Sequence, residues 1–420
     1  MNFTSKILFV LIVSATLASA ASLQGLGAMG EELWPADAAS IGRGMAGSGK
    51  LGEGFSVLNP ARMAFETKTR FQATLEYQGV YGTTDGVSLG RDYLNLTSLG
   101  LCFPLGGYGA LGFGMWQRAT QNFSAVSIVD GEEVSSIDYK GTLTELIPAY
   151  AVRLGGSARF ISLGAAWHFP MGRSTYTWKG KMDSTDIPGI LVEDELVTQW
   201  GIGSSEGLAG LKYGYPAVSL QVHRQSWDYF LSGLRTHNLT RTLGRTQRLN
   251  LLDTLAVSKR HQTITVPWQI ATGISLEPWK GQTISLEFSQ SAGSDSVASG
   301  LDWLNFPSTF DLNQTPQLWA IGWQRDGSGV FYDSFVKKSI YRLGIWTRSW
   351  YLMGVQEIAG AAGIGMPLGK RGAKLDLGLY AGTRTFDGSV DQPESSESFW
   401  GVKVGFSGIG AWGQSARSRR

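Results

Sequence analysis

The chain has 420 residues with 36 basic and 34 acidic side chains, four histidines and a single cysteine. A charge balance this close to zero does not favour nucleic acid as a partner, and Cys102 alone excludes an intramolecular disulfide framework. With four scattered histidines, the composition predicts neither a metal site nor a cofactor. The 56 glycines weaken helices, and together with 15 tryptophans and 14 tyrosines they suit curved strands and interfacial aromatic girdles.

The N-terminus has the ordered parts of a secretory signal peptide, which we assign to residues 1–20. Lys6 supplies the positive charge, and residues 7–17 form an apolar stretch too short to cross a bilayer as a helix. Small residues follow, so we expect cleavage near Ala20 or Ala21. A short buried helix is the alternative interpretation. Export implies a destination outside the cytoplasm.

No later segment holds the uncharged apolar run of ~20 residues that a transmembrane helix needs. A membrane protein with this sequence can therefore span lipid only as a closed β-barrel. Barrel strands alternate apolar outward and polar inward side chains. Residues 70–81 do so, and in residues 373–381 Leu377 shares an apolar face while Asp376 lies on the polar face. We expect Leu377 to face lipid, and we expect an arginine to be tolerated much better at Asp376.

The alternation predicts fourteen strands. They lie at 69–81, 93–103, 108–118, 140–153, 159–169, 203–212, 216–226, 264–276, 282–291, 316–325, 339–347, 355–366, 373–384 and 397–407.

The connections between these strands alternate in length. Short ones such as 104–107 and 213–215 are expected on the periplasmic side, and long ones such as 170–202 and 227–263 outside the cell. A soluble β-sandwich has no reason to separate its loops in this way, but it is the alternative fold. We predict an all-β protein, a transmembrane antiparallel β-barrel of about 14 strands at 67–408 with a basic periplasmic tail at 409–420.

Tryptophans within or beside the predicted strands fit the aromatic belts at membrane interfaces, although ordinary core packing is the alternative for each of them. They are Trp116, Trp167, Trp268, Trp279, Trp319, Trp346 and Trp400.

Three patterns that look catalytic or nucleotide-binding are interpreted as coincidental. Residues 44–50 fit the start of a phosphate-binding loop, but Leu51 stands where a hydroxyl residue is required. Residues 25–30 fit G-x-G-x-x-G without a preceding strand, and residues 203–207 fit G-x-S-x-G without a strand–turn–helix context. His168 is interpreted as a polar lumen residue rather than a general base. We therefore predict that the protein is not an enzyme.

About forty exported residues, 21–66, precede the first strand and do not fit a strand themselves. The barrel lumen is the obvious place for them, and a loose periplasmic tail is the alternative. Within this segment Asn59 precedes Pro60 and Ala61, and a residue before proline favours the start of a turn.

Residues 39–47, followed by Asn59-Pro60-Ala61 and then a first strand, resemble the start of FadL-type outer-membrane proteins. The last four strands are similar to PorV-like and uncharacterised members of that superfamily, whereas residues 120–260 match poorly. The resemblance implies a fourteen-stranded barrel in the bacterial outer membrane, with residues 21–66 as an N-terminal plug (hatch). Two features depart from the family: Arg62 follows the plug motif where glycine is common, and the chain continues past Phe406.

The resemblance leaves two functions from different classes open. The first is passive uptake of hydrophobic, fatty-acid-like small molecules through the plugged lumen. In that case Gly112 and Gly114 of the third strand are candidates for a kink that opens the wall laterally, although they could instead relieve crowding around the plug.

The second function is a scaffold of PorV type that supports protein secretion or surface attachment. Both functions imply contact with outer-membrane lipid and lipopolysaccharide. The basic 227–263 segment suits either anionic lipopolysaccharide or a polar partner, and a solvated loop is the alternative. A hydrophobic small molecule is the expected partner in the first case, and a secretion-machinery protein in the second. The sequence does not name a ligand-binding residue.

Overall fold

The computed structural model describes residues 31–84, 87–120, 122–129, 132–156, 158–182, 190–201, 214–235, 237–249, 253–266, 268–291, 297–298, 309–310, 315–328, 330, 333–350, 354–368, 373–386 and 395–410. The predicted signal peptide, the G-x-G-x-x-G and G-x-S-x-G patterns, the predicted strand 203–212 and most of the basic tail lie outside the described residues. In the part of the chain described, no helix combines the length and hydropathy needed to cross a bilayer.

The described chain is built almost entirely of strands. They are β1 (Glu31–Glu32), β2 (Thr69–Thr84), β3 (Val87–Pro104), β4 (Ala110–Thr120), β5 (Phe123–Val129), β6 (Glu132–Gly155), β7 (Arg159–Met182), β8 (Ile190–Gly201), β9 (Tyr215–Arg224), β10 (Trp227–Leu234), β11 (His237–Leu249), β12 (Asp253–Val266), β13 (Gln269–Trp279), β14 (Gln282–Ser291), β15 (Val297–Ala298), β16 (Thr309–Phe310), β17 (Gln317–Arg325), β18 (Ile340–Ser349), β19 (Val355–Leu368), β20 (Ala373–Phe386) and β21 (Ser395–Gly410). The helices are α1 (Ala38–Gly42), α2 (Phe335–Lys338) and two 3-10 helices at Pro60–Phe65 and Gly106–Tyr108.

Fourteen of these strands form a closed antiparallel ring. The order is β2-β3-β4-β6-β7-β9-β10-β13-β14-β17-β18-β19-β20-β21, and β21 pairs back with β2 from Thr69↔Gly410 to Thr84↔Ser395. Because the ring closes, no strand is an edge strand along its whole length, and closure is the condition under which a sheet can span lipid. The predicted all-β fold and the number of barrel strands are confirmed.

One barrel strand lies where we predicted a loop. β10 falls inside the predicted 227–263 loop, and a tight turn at Gln225 and Ser226 joins it to β9. β9 therefore runs opposite to the predicted direction. Tyr215 is its first residue, and residue 213 of the predicted turn 213–215 lies outside the described residues. The pattern failed here because Phe230, on the inner face of β10, is aromatic and packs against Gly49 of the N-terminal region.

The wall continues beyond the ring at the end opposite the tight turns. β5 extends β4 along β6, β8 pairs with the upper part of β7, and the β11–β12 hairpin pairs with β8. Segments predicted as long outer loops thus contain paired strands. We take the end with tight turns as periplasmic, because outer-membrane barrels have short periplasmic turns and long outer loops.

Side chains of the ring alternate between an exposed outer face and a buried inner face. Ile345, Ile358 and Leu379 are among the exposed apolar residues, whereas Asp376 is buried on the inner face. Leu377 has the outward parity of Leu379, as predicted. The apolar outer band is the surface that a lipid bilayer requires.

Five of the seven tryptophans have the outward exposure that a membrane belt requires. Trp167, Trp268, Trp279, Trp319 and Trp400 are exposed on the outer surface. Trp116 and Trp346 are instead buried, with 9% and 2% exposure, and belong to the core. For these two the alternative of core packing holds, because both have the inward parity of their strands.

Candidate functional site: the lumen and its N-terminal segment

Residues 31–66, here called the N-terminal segment, contact the inner face of the wall at strands far apart around the ring. Asn59 Nδ2 donates to Gln221 Oε1 of β9 at 2.8 Å, while Lys403 Nζ of β21 donates to the Ala36 carbonyl at 3.1 Å. Because the segment contacts the inner faces of strands on different sides of the closed ring, it lies inside the ring. α1 begins this packing, and Asp37 caps it by accepting from the Ser40 N–H at 2.7 Å.

The sequence-predicted turn residues lie deep in this segment. Asn59, Pro60 and Ala61 are all buried, and Pro60 opens a 3-10 helix. Asn59 Nδ2 also donates to the Ser48 carbonyl at 3.2 Å, and the Ala61 N–H donates to Ser219 Oγ of β9 at 2.8 Å. The turn is therefore fixed both to the segment and to the wall.

Arg62, which departs from the family pattern, is buried inside the segment. Its Nε donates to the Gly54 carbonyl at 3.1 Å and its Nη2 to the Phe55 carbonyl at 2.9 Å. A glycine could not make these bonds, so Arg62 ties the 3-10 helix to the preceding chain.

Arg43 and Glu53 form a bidentate ion pair in the centre of the segment. Arg43 Nη2 and Nη1 donate to the two carboxylate oxygens at 2.7 and 2.8 Å, and Nη1 also donates to Gln324 Oε1 of β17 at 2.6 Å. Burial acts to raise the pKa of Glu53, but the Arg43 guanidinium outweighs it and holds that pKa well below its ordinary value. The pair thus stays charged and links the segment to the wall.

The residues that resemble a phosphate-binding loop bind a carboxylate of the protein itself. The N–H groups of Gly47 and Ser48 both donate to Glu287 Oε2 of β14 at 3.0 Å, and Ser48 Oγ donates to Oε1 at 2.8 Å. Backbone N–H groups of consecutive residues form such anion-binding concavities. Lys50 continues the contact, donating to Thr283 Oγ1 at 2.9 Å. The residues that resemble a nucleotide-binding motif therefore hold the N-terminal segment against β14.

A cluster of buried charges holds β1. Arg384 donates to Glu31 at 2.7 Å and to Glu357 at 2.8 Å, and Arg348 donates to Glu357 at 2.8 Å. The Arg384 guanidinium also lies 4.6 Å from the centre of the Trp350 ring. These contacts position the start of the segment in the half of the barrel opposite the tight turns.

A second cluster surrounds Glu145 of β6. Arg118 Nη1 lies 2.7 Å from its carboxylate, His168 Nδ1 lies 2.8 Å from it, and the Tyr215 hydroxyl also bonds to it. His168 faces the lumen, as predicted, with its ring stacked on Tyr215. The cluster contains an acid, a base and a phenol, but it shows no nucleophile within hydrogen-bond reach of His168 among the described residues.

The wall is interrupted between β3 and β4. Their ladder runs only from Pro104↔Ala110 to Ser98↔Trp116, whereas β3 continues to Val87 paired with β2. The register shifts beside this point in both flanking ladders, between Thr74 and Leu75 on β2 and between Gln117 and Ala119 on β4.

β1 lies along the freed edge of β4. Glu31 pairs with Thr120 and Glu32 with Ala119, and the Leu33 N–H donates to the Arg118 carbonyl at 2.9 Å. The N-terminal segment thus occupies the position that β3 vacates.

Gly112 and Gly114, the residues proposed for a lateral kink, lie in the regular part of the wall. Gly112 pairs with Cys102 and Ala149, and Gly114 with Gly100 and Ile147, without a register shift. The irregularity begins beyond them at Gln117. A Cβ on either glycine would overlap the N-terminal segment, at Met63 and at Phe55 respectively. The glycines therefore make room for the segment, and lateral opening stays a prediction.

An apolar groove of about 980 Å³ crosses the outer face of the wall from β10 to β20. Leu286, Trp319 and Ile345 are among its exposed walls. Behind it, Gly322 and Gly344 lie directly against the backbone of Arg43, where a side chain would not fit. The wall is thus a single layer between the groove and the N-terminal segment.

An internal cavity of about 20 Å³ lies between Trp34, Phe55 and Trp116, beside the end of the β3–β4 ladder. It has room for roughly one water molecule.

The comparisons with known proteins agree with this architecture. A family model described as BamG matches residues 7–417. A comparison with curated proteins found no match. A Pseudomonas aeruginosa FadL homologue is 10% identical with a TM-score of 0.63, over 90% of this chain and 99% of that one.

Two further solved structures share the fold. The Pseudomonas putida toluene transporter TodX is 12% identical with a TM-score of 0.56, and the Ralstonia pickettii toluene transporter TbuX is 12% identical with a TM-score of 0.54; each alignment covers 90% of this chain and 98% of the other. Identities this low establish the fold alone, and the closeness to PorV-like members stays a prediction. The chain belongs to the BamG family, and its fold is that of the FadL-type outer-membrane β-barrels.

Proposed function

We propose that the protein is an outer-membrane channel for hydrophobic small molecules, in which the N-terminal segment is a plug and the interruption between β3 and β4 is a lateral exit. The observation that carries the proposal is the ladder that ends at Ser98↔Trp116, with β1 covering the freed edge of β4. Fatty-acid-like compounds are the substrate class that we infer, since an acyl chain partitions into the bilayer.

The physical case rests on where a hydrophobic solute is stable. Passage from the lumen into water is unfavourable for such a solute, whereas a side opening leads it into lipid. Lipid cannot satisfy the backbone groups of an open strand edge, so the opening needs a cover when it is idle. β1 supplies that cover through two residue pairs, far fewer than the seven pairs of the adjoining β3–β4 ladder. Similar folds in proteins described as toluene transporters support the proposal.

A reversible crosslink tests the exit. Cysteines at Glu32 and Ala119, in a Cys102→Ala background, should form a disulfide because the two residues are ladder partners. We expect uptake of oleate and toluene to fall when the bond is oxidised and to recover on reduction. Cysteines at Gln269 and Ser291, partners in the regular run of the β13–β14 ladder that ends at Leu276↔Ile284, are the matched control. Equal uptake with β1 locked and free would rule out exit at this position.

A structural role is the second candidate, and the outer groove is the observation that favours it. An apolar concavity of this size on the lipid face suits a transmembrane partner, since close packing is what holds membrane segments together. Ala381→Trp would fill the groove, whereas Ala165→Trp adds the same ring to the exposed outer face of β7. A membrane protein that copurifies with wild type and Ala165→Trp, but is lost with Ala381→Trp, would support the scaffold. If the same membrane protein copurifies with Ala381→Trp as it does with the wild type, the groove is excluded as its docking site.

A further inference from the structure

The connection between β17 and β18 exposes apolar side chains at the tight-turn end of the barrel. It contains α2, and Phe335 and Val336 of this helix are 57% and 62% exposed, with Val330 at 52%. The connections at 225–226 and 280–281, by contrast, are two-residue turns. A loop in water gains nothing from exposing these side chains, so they are candidates for an interaction site.

α2 lies over the lipid-facing side of the wall. The Tyr341 hydroxyl donates to the Val336 carbonyl at 3.2 Å, and Tyr341 shares its outward parity on β18 with exposed Leu343 and Ile345. The apolar surface of α2 is therefore continuous with the outer band of the barrel.

The neighbouring turn adds to the same surface. The Asp326 N–H donates to the Gly281 carbonyl at 2.8 Å, which joins the two connections. Trp279, at 62% exposure, precedes that turn. Tryptophan beside aliphatic and phenyl groups at a barrel rim has the composition of a membrane interface.

Exposed lysines flank these apolar groups. Lys280 follows Trp279 and Lys337 follows Val336, and both are exposed. The acidic Glu277 accepts the Gly281 N–H at 2.8 Å, and Asp326 faces Lys50 of the N-terminal segment at 3.3 Å. Lysines that border an apolar surface place their stems in the interface and their ammonium groups among lipid phosphates.

We propose that Trp279, Lys280, Phe335, Val336 and Lys337 form an interfacial anchor that inserts into the phospholipid leaflet on the periplasmic side. The apolar side chains enter the boundary between headgroups and acyl chains, and the two lysines bind headgroup phosphates. Continuity with the outer band of β18 favours lipid over a periplasmic protein as the occupant. The inference is independent of transport through the lumen.

A fluorescent label tests the insertion. Val336→Cys in the Cys102→Ala background, labelled with nitrobenzoxadiazole and reconstituted in nanodiscs containing phosphatidylglycerol, should be quenched by doxyl-labelled phospholipid and protected from aqueous iodide. Ser226→Cys, in the exposed turn at the same end, is the matched control and should show the opposite pattern. Iodide quenching at position 336 equal to that at 226 would overturn the anchor. Protection that appears only when periplasmic extract is added would overturn it in favour of a protein partner.

The lysines are tested in the same labelled protein. Lys280→Glu together with Lys337→Glu should increase iodide quenching at position 336 in discs with phosphatidylglycerol, and less so in discs of phosphatidylcholine alone. Equal changes in both lipids, or no change in either, would remove the headgroup contact from the proposal.

Discussion

Arg43 and Glu53 show how a charged pair is kept inside a membrane barrel. Both side chains are buried, and each guanidinium–carboxylate contact is within hydrogen-bond distance. The Arg43 pKa is raised above its ordinary value, since Glu53 more than offsets the cost of burial. Removing one partner of such a pair leaves an uncompensated buried charge, which is more damaging than the loss of the pair as a whole.

We expect Glu53→Gln to lower the free energy of unfolding by about 3–5 kcal/mol at neutral pH. Urea-induced unfolding in detergent measures it. Because the folded pKa of Glu53 is depressed, its contribution is complete above the unfolded pKa. It is lost progressively as pH falls from there through the folded pKa, which lies well below 4.5. Asp138→Asn, which breaks an exposed pair with Lys140, is the control and should cost about 0–1 kcal/mol. If Glu53→Gln costs no more than Asp138→Asn, the central pair does not stabilise the protein.

The surroundings of Asp376 differ from those expected from the sequence. Its inward parity was predicted, but its carboxylate accepts from Arg342 at 2.8 Å and lies 3.1 Å from Lys374. An arginine there would meet two like charges in a buried site. These contacts argue against the expected tolerance of Asp376→Arg, since the lumen-facing side chain is packed against charged partners rather than open to water.

The two neighbouring positions give a direct comparison. Leu377→Arg should cost ~2–4 kcal/mol if Leu377 lies near the bilayer midplane. Asp376→Arg should cost at least as much, since it leaves Arg342 unpaired and adds a repulsive charge. Refolding titrations of both variants into lipid measure the difference. A clearly smaller loss at Asp376 would mean that the lumen is hydrated at this height.

β4 combines a regular half and an irregular half. Its first residues pair on both sides, while beyond Trp116 it loses β3 and gains β1. Gly114 belongs to the regular half, where its missing side chain leaves space for the Phe55 ring. The glycines on this strand thus serve packing of the N-terminal segment, and the break in the wall follows from the register shift at Gln117.

Gly114→Val should displace Phe55 and loosen the N-terminal segment while the barrel still folds. Hydrogen exchange of residues 31–66, followed by mass spectrometry, should show faster exchange than in the wild type. Gly107→Val is the control, because Gly107 lies in a turn with no neighbouring atom near its Cβ position. Unchanged protection of the segment in Gly114→Val would show that Phe55 does not hold it in place.

The barrel and the N-terminal segment depend on each other. The segment is tied to β9, β14, β17 and β21 through side chains that the wall presents inward. Without the segment, Glu287 would lose three donors inside the lumen. In a barrel without the N-terminal segment, water would occupy these positions.

Deletion of residues 22–62 should leave a heat-modifiable barrel with higher single-channel conductance in planar bilayers, because water and ions replace the segment. Its unfolding midpoint should fall, since buried charges on the wall lose their partners. Conductance equal to that of the full chain would show that the segment does not close the lumen.

The local alternation of apolar and polar residues was sufficient to predict most barrel strands and the face of the wall on which their side chains lie. The alternation of side chains is set by the pleat of each strand, so Asp376 was placed on the inner face and Leu377 on the outer face from sequence alone. The exception is β10, where inward Phe230 breaks the pattern because the N-terminal segment offers it an apolar contact.

Which of the inward side chains contact one another depended on closure of the ring. Arg43 and Gln324 are 281 positions apart, and Ser48 and Glu287 are 239 apart, so nothing local marks either pair. The break between β3 and β4 likewise depends on the registers of three strands at once. Periodicity determines which way a side chain points, because that is a property of one strand. Which groups meet inside the lumen is decided only when all fourteen strands and the N-terminal segment occupy the same closed space.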